Sequence, residues 1–397
     1  MTCTAQAPKQ ATVLSASTRP VSGWLPVRVS LDATPLLGSP TGVGRYVDRL
    51  VDALVDIECA DDPLQITLVP FTVRGARGLR ERTGVEVRHR PFSARVLRAV
   101  WSRASFPPVE VFAGGCDVFH ATNFVLPPTR RAVGVVTIHD LTWALHPGTV
   151  TKDVEAYQRL VPESVRRAAL VLCPSESTSR DVRKFFDLPG ERVRSTPLGV
   201  DPSWLRTSPP SNEQRARLGL PERFVLFVGA REPRKNVPVL VRAHEVARRM
   251  APDLVPDLVF AGPPGWGQQS VEQSPSVRTT GYLSDEDLRL TVAGADCLVL
   301  PSRYEGFGLP LLEAFACGTP VVTTDIPVHR EVTGNLAGLV PVGDVEALAE
   351  AIVNTLRQGR DREADARRRE WASAWTWKRC AELTRQAYDD ARAMGKP

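Results

Sequence analysis

Two carboxylates, Glu305 and Glu313, bracket the run Glu-Gly-Phe-Gly-Leu-Pro-Leu-Leu-Glu. Before it, Cys297 to Leu300 is an apolar run of the kind that fills a parallel sheet buried on both faces. Pro301, Gly306 and Gly308 break that run, and Pro310 suits the first helical position, where its missing N–H costs nothing. Leu311, Leu312, Ala314, Phe315 and Ala316 continue the helix until Gly318 and Pro320 end it, and Val321 and Val322 start another strand. A glycine loop feeding a helix start aims unpaired N–H groups at whatever lies above the strand, where the helix dipole also favours negative charge. A carboxylate accepts two hydrogen bonds in fixed geometry, which matches a pair of vicinal hydroxyls. Carboxylates on either side of an anion cradle suggest a phosphate with a sugar on each side, the shape of a nucleotide sugar. A solvent-facing Glu305 and a dipole-complementing Glu313 would be the blander explanation. The spacing alone favours it, and the glycine loop after a buried strand reverses the preference.

Three other stretches carry chemistry. Phe224 to Val228 reads as a buried strand ending at Gly229, after which Arg234 and Lys235 precede a helix starting near Val237. Arginine grips phosphate oxygens in pairs and lysine acts as a point charge, so both could neutralise a departing diphosphate; a bare Arg-Lys dipeptide is otherwise a solvated pair. Near the N-terminus, the strand Val27 to Leu31 leads to Thr-Gly-Val-Gly-Arg-Tyr, and Gly42 and Gly44 precede a helix running from about Val43 to Asp56. Because Val47 occupies the third glycine position, this is no dinucleotide fingerprint. His139 and Asp140 close the strand that starts at Val135, where ligands gather in parallel sheets, and a histidine there can orient or deprotonate a hydroxyl. The plainer alternative is a hydrogen-bonded histidine beside a capping aspartate. His120 and Asn123 are weaker candidates for the same cleft. Asp285-Glu-Asp287 follows Ser284, which marks a helix N-terminus whose acids complement the dipole, so no metal site is expected.

The Glu305–Glu313 signature is similar to that of the retaining, GT-B-fold glycosyltransferases of family 4. Thr-Gly-Val-Gly-Arg-Tyr, Ile-His-Asp-Leu, Pro-Arg-Lys-Asn and the last helix extend the resemblance from about Val27 to Tyr388. It implies an α/β fold of two doubly wound, Rossmann-like domains facing a cleft, with a C-terminal helix crossing back to the first. It also implies roles. Arg234 and Lys235 would hold the donor diphosphate, and Glu313 the ribose. Glu305 and the backbone of Gly306, Phe307, Gly308 and Leu309 would hold the hexose, with the nucleobase against the backbone of Tyr282 and Leu283. Gly42 and Gly44 would face the diphosphate and the acceptor. His139, Asp140 and Glu305 would form the catalytic set for front-face transfer with retention. Some relatives have arginine directly after the glycine; Ala230 stands there here, which leaves the role of Arg231 open. The motifs look most like those of GDP-mannose-dependent mannosyltransferases acting on a glycan or lipid-linked acceptor. Transfer from dTDP-rhamnose, UDP-glucose or UDP-GlcNAc, and nucleotide-sugar epimerisation on the same architecture, are the alternatives. The nucleotide sugar is a substrate, and neither cofactor nor metal is expected.

The elements that must position these groups fit in 397 residues, enough for two cores. The expected plan is a disordered tail over 1–22, an acceptor-side domain over 23–203, a linker over 204–220, a donor domain over 221–374 and a crossing helix over 375–397. A net charge of +5 is too mild to argue for nucleic acid. The seven scattered cysteines form no Cys-x-x-Cys pair, which fits reduced thiols in a cytoplasmic protein. No run approaches the ~20 apolar residues of a membrane span. Between Arg74 and Arg103, nine arginines face two acids, Glu81 and Glu86. Within that stretch Phe92, Val96, Leu97, Val100 and Trp101 share one helical face. Such a helix either packs on the sheet with its arginines solvated or lies on an anionic membrane, here the inner face of the plasma membrane.

Overall fold

The computed structural model describes residues 26–38, 41–57, 63–74, 76, 79–150, 157–265 and 275–397; the expected tail over 1–22 lies outside them. Two parallel sheets organise the chain. The first has seven strands in the order Val85–Val87, Leu64–Val69, Val27–Asp32, Val118–Ala121, Val133–Thr137, Leu170–Cys173, Val193–Ser195. The second has six: Val277–Gly281, Asp257–Ala261, Phe224–Val228, Cys297–Leu300, Val321–Thr324, Gly338–Val340. The central strands are buried along their whole length, which is why they read as unbroken apolar runs.

In each sheet the first strand lies inside, and the chain builds outward on one side before crossing to build on the other. The order reverses between Val27–Asp32 and Val118–Ala121, and again between Phe224–Val228 and Cys297–Leu300. Ligands of doubly wound sheets bind beyond the strand ends at such switch points. Arg234, Lys235 and Glu305 follow the two strands at the second switch point. The helix Gly42–Asp56 and the strand of His120 flank the first.

The terminal helix Trp377–Met394 packs on the helix Gly42–Asp56, so the chain's last element completes the first domain. This places His120 differently from the sequence reading. It is fully buried, with its ring nitrogens on the Tyr388 hydroxyl at 2.8 Å and the Thr137 hydroxyl at 2.7 Å. It is a satisfied core histidine that ties the crossing helix to the sheet and does not line the cleft. Residues 204–220 hold the end of the short helix Pro202–Leu205 and the helix Asn212–Leu218, the latter closed by a capping box between Ser211 and Gln214.

The stretch from Asp325 to Gly338 contains the helix Pro327–Thr333, started by a proline in its first turn. One other expectation is corrected. The basic stretch forms the helix Ala94–Trp101, but its apolar residues divide. Leu97 and Trp101 are buried, whereas Phe92, Val96 and Val100 are 48, 57 and 38% exposed, and Phe106 just beyond is 69% exposed. Among the described residues no helix is long and apolar enough to cross a membrane. The five described cysteines are free and buried.

Candidate active site

Glu305 sits on the loop between the strand Cys297–Leu300 and the helix Leu309–Ala316, almost wholly buried. Arg234 donates to its Oε2, Lys235 Nζ to Oε1 at 3.1 Å, and the Ser302 hydroxyl to Oε1 at 2.9 Å. Burial alone would raise its pKa, but Arg234 and Lys235 outweigh burial and hold the carboxyl well below the usual range. Arg234 also reaches Glu232 at 2.8 Å, and Lys235 is itself buried. The site thus keeps Lys235 and Glu305 out of water, with Arg234 partly buried beside them, which is tolerable because each has a partner.

The loop's backbone differs from its side chains. Gly308 adopts φ +91°, open to glycine but strained for other residues, and this turns the chain into the helix start. Gly306, Phe307 and Gly308 are buried, and the N–H groups of Gly306 to Leu309 find no hydrogen-bond partner among the described residues. Buried backbone donors are nearly always paired, so a run of free ones beside two cations is an anion-binding constellation.

Glu313 is equally buried but differently served. Arg45, from the first domain, donates to it at 2.6 Å and to Asp285 at 3.0 Å. Burial pushes the Glu313 carboxyl up to about 7 against the pull of Arg45, and Asp285 nearby adds to the rise. Glu305 meets two cations and stays low; Glu313 shares one and does not. A narrow cavity lined by Arg45, Asp201, Asp285, Leu309 and Glu313 lies between the domains at this point. Gly42 opens its helix, and the Thr41 hydroxyl caps it by accepting the N–H of Gly44 at 3.0 Å. Tyr282 is exposed, and both it and Leu283 lie in the connection between the strand Val277–Gly281 and the helix Asp285–Gly294. Ser284 caps that helix, as the sequence indicated.

His139 and Asp140 stand across the cleft. His139 Nε2 lies 2.8 Å from the carbonyl of Thr122, which can only accept, so Nε2 carries a proton and a neutral ring presents Nδ1 as an acceptor. Burial lowers its pKa, which favours that neutral ring. Asp140 accepts the N–H of Thr142 at 2.9 Å, the contact of a turn-capping aspartate. Both residues meet the loop of Glu305 to Leu309 directly: a Cβ at Gly306 would lie 1.8 Å from the His139 carbonyl oxygen and 3.2 Å from Asp140 Cβ. Only glycine permits that approach.

The structure adds residues that sequence reasoning left without a role. Arg45 lies inside the Thr-Gly-Val-Gly-Arg-Tyr run, but its partner Glu313 is 268 positions away, so no local signal could pair them. Ser302 stands three residues before Glu305. His329 is fully buried; its Nδ1 faces the hydroxyls of Thr323 and Thr324, and its Nε2 has no partner among the described residues. Arg231 is buried, donates to the carbonyl of Pro264 at 3.0 Å and has an Nη1 without a partner among the described residues. Among the described residues no group of three or more His, Cys, Asp or Glu could hold a metal ion.

Comparison with known proteins bears on this geometry. Residues 210–372 match the model of glycosyl transferases group 1, and residues 40–204 match that of glycosyltransferase family 4. The chain is 32% identical over 283 residues to the O-antigen chain mannosyltransferase B of Escherichia coli, covering 68% of this chain and 74% of the relative. It is 28% identical to a D-inositol 3-phosphate glycosyltransferase of Salinispora arenicola over 91% of this chain and 90% of that one. In fold it is similar to sucrose-phosphate synthase of Thermosynechococcus elongatus, with TM-score 0.72 and 21% identity over 93% of this chain and all of the other. The paired sheets, the switch-point loop and these matches agree: the chain belongs to the GT-B-fold glycosyltransferases of family 4 and is a hexosyltransferase.

Proposed function

We propose that this enzyme transfers mannose from GDP-mannose to a hydroxyl of a glycan or glycolipid, with retention at the anomeric carbon and without a metal. The observation that carries the reading is the run of N–H groups from Gly306 to Leu309 without a partner among the described residues, the first three of them buried, beside Arg234 and Lys235. Arg234 and Lys235 meet the charge that grows on the diphosphate as the glycosidic bond breaks, a task otherwise given to a metal, while the N–H groups hold the hexose beside it. Glu305, kept ionised, orients the hexose and stabilises positive charge at its anomeric carbon. Glu313 accepts the ribose hydroxyls once Arg45 yields to them. His139 Nδ1 accepts from the acceptor hydroxyl, and a donor phosphate oxygen assists its deprotonation. Closure of the two domains excludes the water that would hydrolyse the donor. The boundaries at 203, 221 and 375 divide acceptor side, donor side and crossing helix in this reading. Likeness to a mannosyltransferase supports the choice of hexose.

The exposed Phe92, Val96, Val100 and Phe106, with Arg95 and Arg103 beside them, favour an acceptor presented at an anionic lipid surface. Thermal-shift titration with GDP-mannose, dTDP-rhamnose, UDP-glucose and UDP-GlcNAc tests the donor, since a ligand of the folded form raises the melting temperature. GDP-mannose is expected to give the largest rise, and a larger one with a uridine donor overturns the choice. Nucleotide release from the preferred donor without any acceptor would point to the epimerase chemistry instead.

A further inference from the structure

The first domain grips the donor loop from behind. The hydroxyls of Ser175 and Thr178, at the start of the helix Glu176–Phe186, lie 2.8 and 2.9 Å from the carbonyl oxygen of Gly306. That oxygen has two lone pairs and can accept from both. Upstream on the same loop, Tyr304 donates to Asp181 at 3.0 Å and accepts the N–H of Leu141 at 3.2 Å. Glu331 of the second domain accepts the N–H groups of Glu176 and Ser177 at 2.8 and 2.9 Å, holding the helix start against the loop. Ser175, Thr178 and the Gly306 carbonyl are buried, so water does not compete for these bonds.

A trans peptide points its carbonyl and the next N–H in opposite directions. Fixing the Gly306 carbonyl on Ser175 and Thr178 therefore turns the N–H of Phe307, unpartnered among the described residues, away from the first domain. We propose that Ser175 and Thr178 are positioning residues of the donor site: their hydroxyls orient the Gly306–Phe307 peptide so that its N–H meets the hexose of the nucleotide sugar. Part of the donor site is then built by the acceptor-side domain and exists only when the domains are closed. The nucleotide half, held by Lys235 and Glu313 in the second domain, does not depend on this contact. The inference rests on the reading that residues 305–309 hold the donor.

Calorimetric titration of the full chain with GDP-mannose and with GDP tests it. Thr178→Val removes one hydroxyl and leaves the Ser175 cap, which accepts the N–H of Thr178 at 3.0 Å. It is expected to weaken GDP-mannose about tenfold while GDP changes less than about twofold, and Thr178→Ser restores the difference. A Thr178→Val protein that binds both as the wild type does, or loses both equally with a lowered melting temperature, overturns the positioning role. Wild-type protein that binds no nucleotide sugar of the panel overturns the donor reading itself, and the proposal with it.

Discussion

The two walls of the cleft are built on opposite principles. On the second-domain wall, the side chains are satisfied and the backbone is not: Glu305 holds Arg234 and Lys235, while the N–H groups of Gly306 to Leu309 lack partners among the described residues. On the first-domain wall, the candidate side chains already have local tasks. His139 donates to Thr122, and Asp140 caps its own turn. One wall therefore offers preorganised donors for an anion, and the other offers shape and a single ring nitrogen. Catalysis by preorganised charge should concentrate on the first of these walls, and proton handling on the second should contribute less.

Four experiments break or sharpen that contrast. Lys235→Ala removes a buried cation from the anion cradle and is expected to lower kcat/KM for the donor about 10²- to 10³-fold; undiminished turnover would end the clamp. Gly306→Ala places a methyl 1.8 Å from the His139 carbonyl oxygen. The domains cannot then close as they do, and kcat should fall about 10²-fold. If the melting temperature collapses instead, the contact is structural and not a closure gauge. His139→Asn should cost about tenfold in kcat, whereas Asp140→Asn, which keeps a capping oxygen, should cost little. A loss at Asp140 equal to that at Lys235 would show that the two walls share the chemistry.

The smallest expected effect is one of pH. The folded pKa of Glu313, about 7, lies above its ordinary value of 4.5. The ionised form therefore costs stability, fully above pH 7, and the cost fades as pH falls from 7 toward 4.5. Relative to Glu313→Gln, the wild type should lose about 1 kcal/mol of stability between pH 6 and pH 8. Denaturant melts of both proteins at the two pH values measure it, and parallel curves would mean that Arg45 keeps Glu313 ionised throughout.

Much of the second-domain wall could be read from the chain because its signals are local. An apolar run, paired glycines and Pro310 within about fifteen residues specify strand, loop and helix start, and Lys235 follows its own strand by a fixed step. What could not be read is whatever joins distant segments. Arg45 meets Glu313, and Ser175 and Thr178 meet Gly306, only because two domains fold against each other. The helix Ala94–Trp101 shows the converse failure. Its apolar spacing implies one buried face, yet the sheet covers only Leu97 and Trp101, since periodicity records which residues share a side and not how much of that side a neighbour can cover.

The path of the last helix has a consequence for biogenesis. Tyr388 and Cys380 are fully enclosed against the first domain, and Tyr388 completes the hydrogen bonding of His120. A ribosome delivers this helix after everything it must cover. The earlier-made half therefore waits with an uncovered apolar groove along the helix Gly42–Asp56 while the later half is synthesised, and a message truncated before Trp377 would yield a polypeptide fit for chaperone capture or degradation.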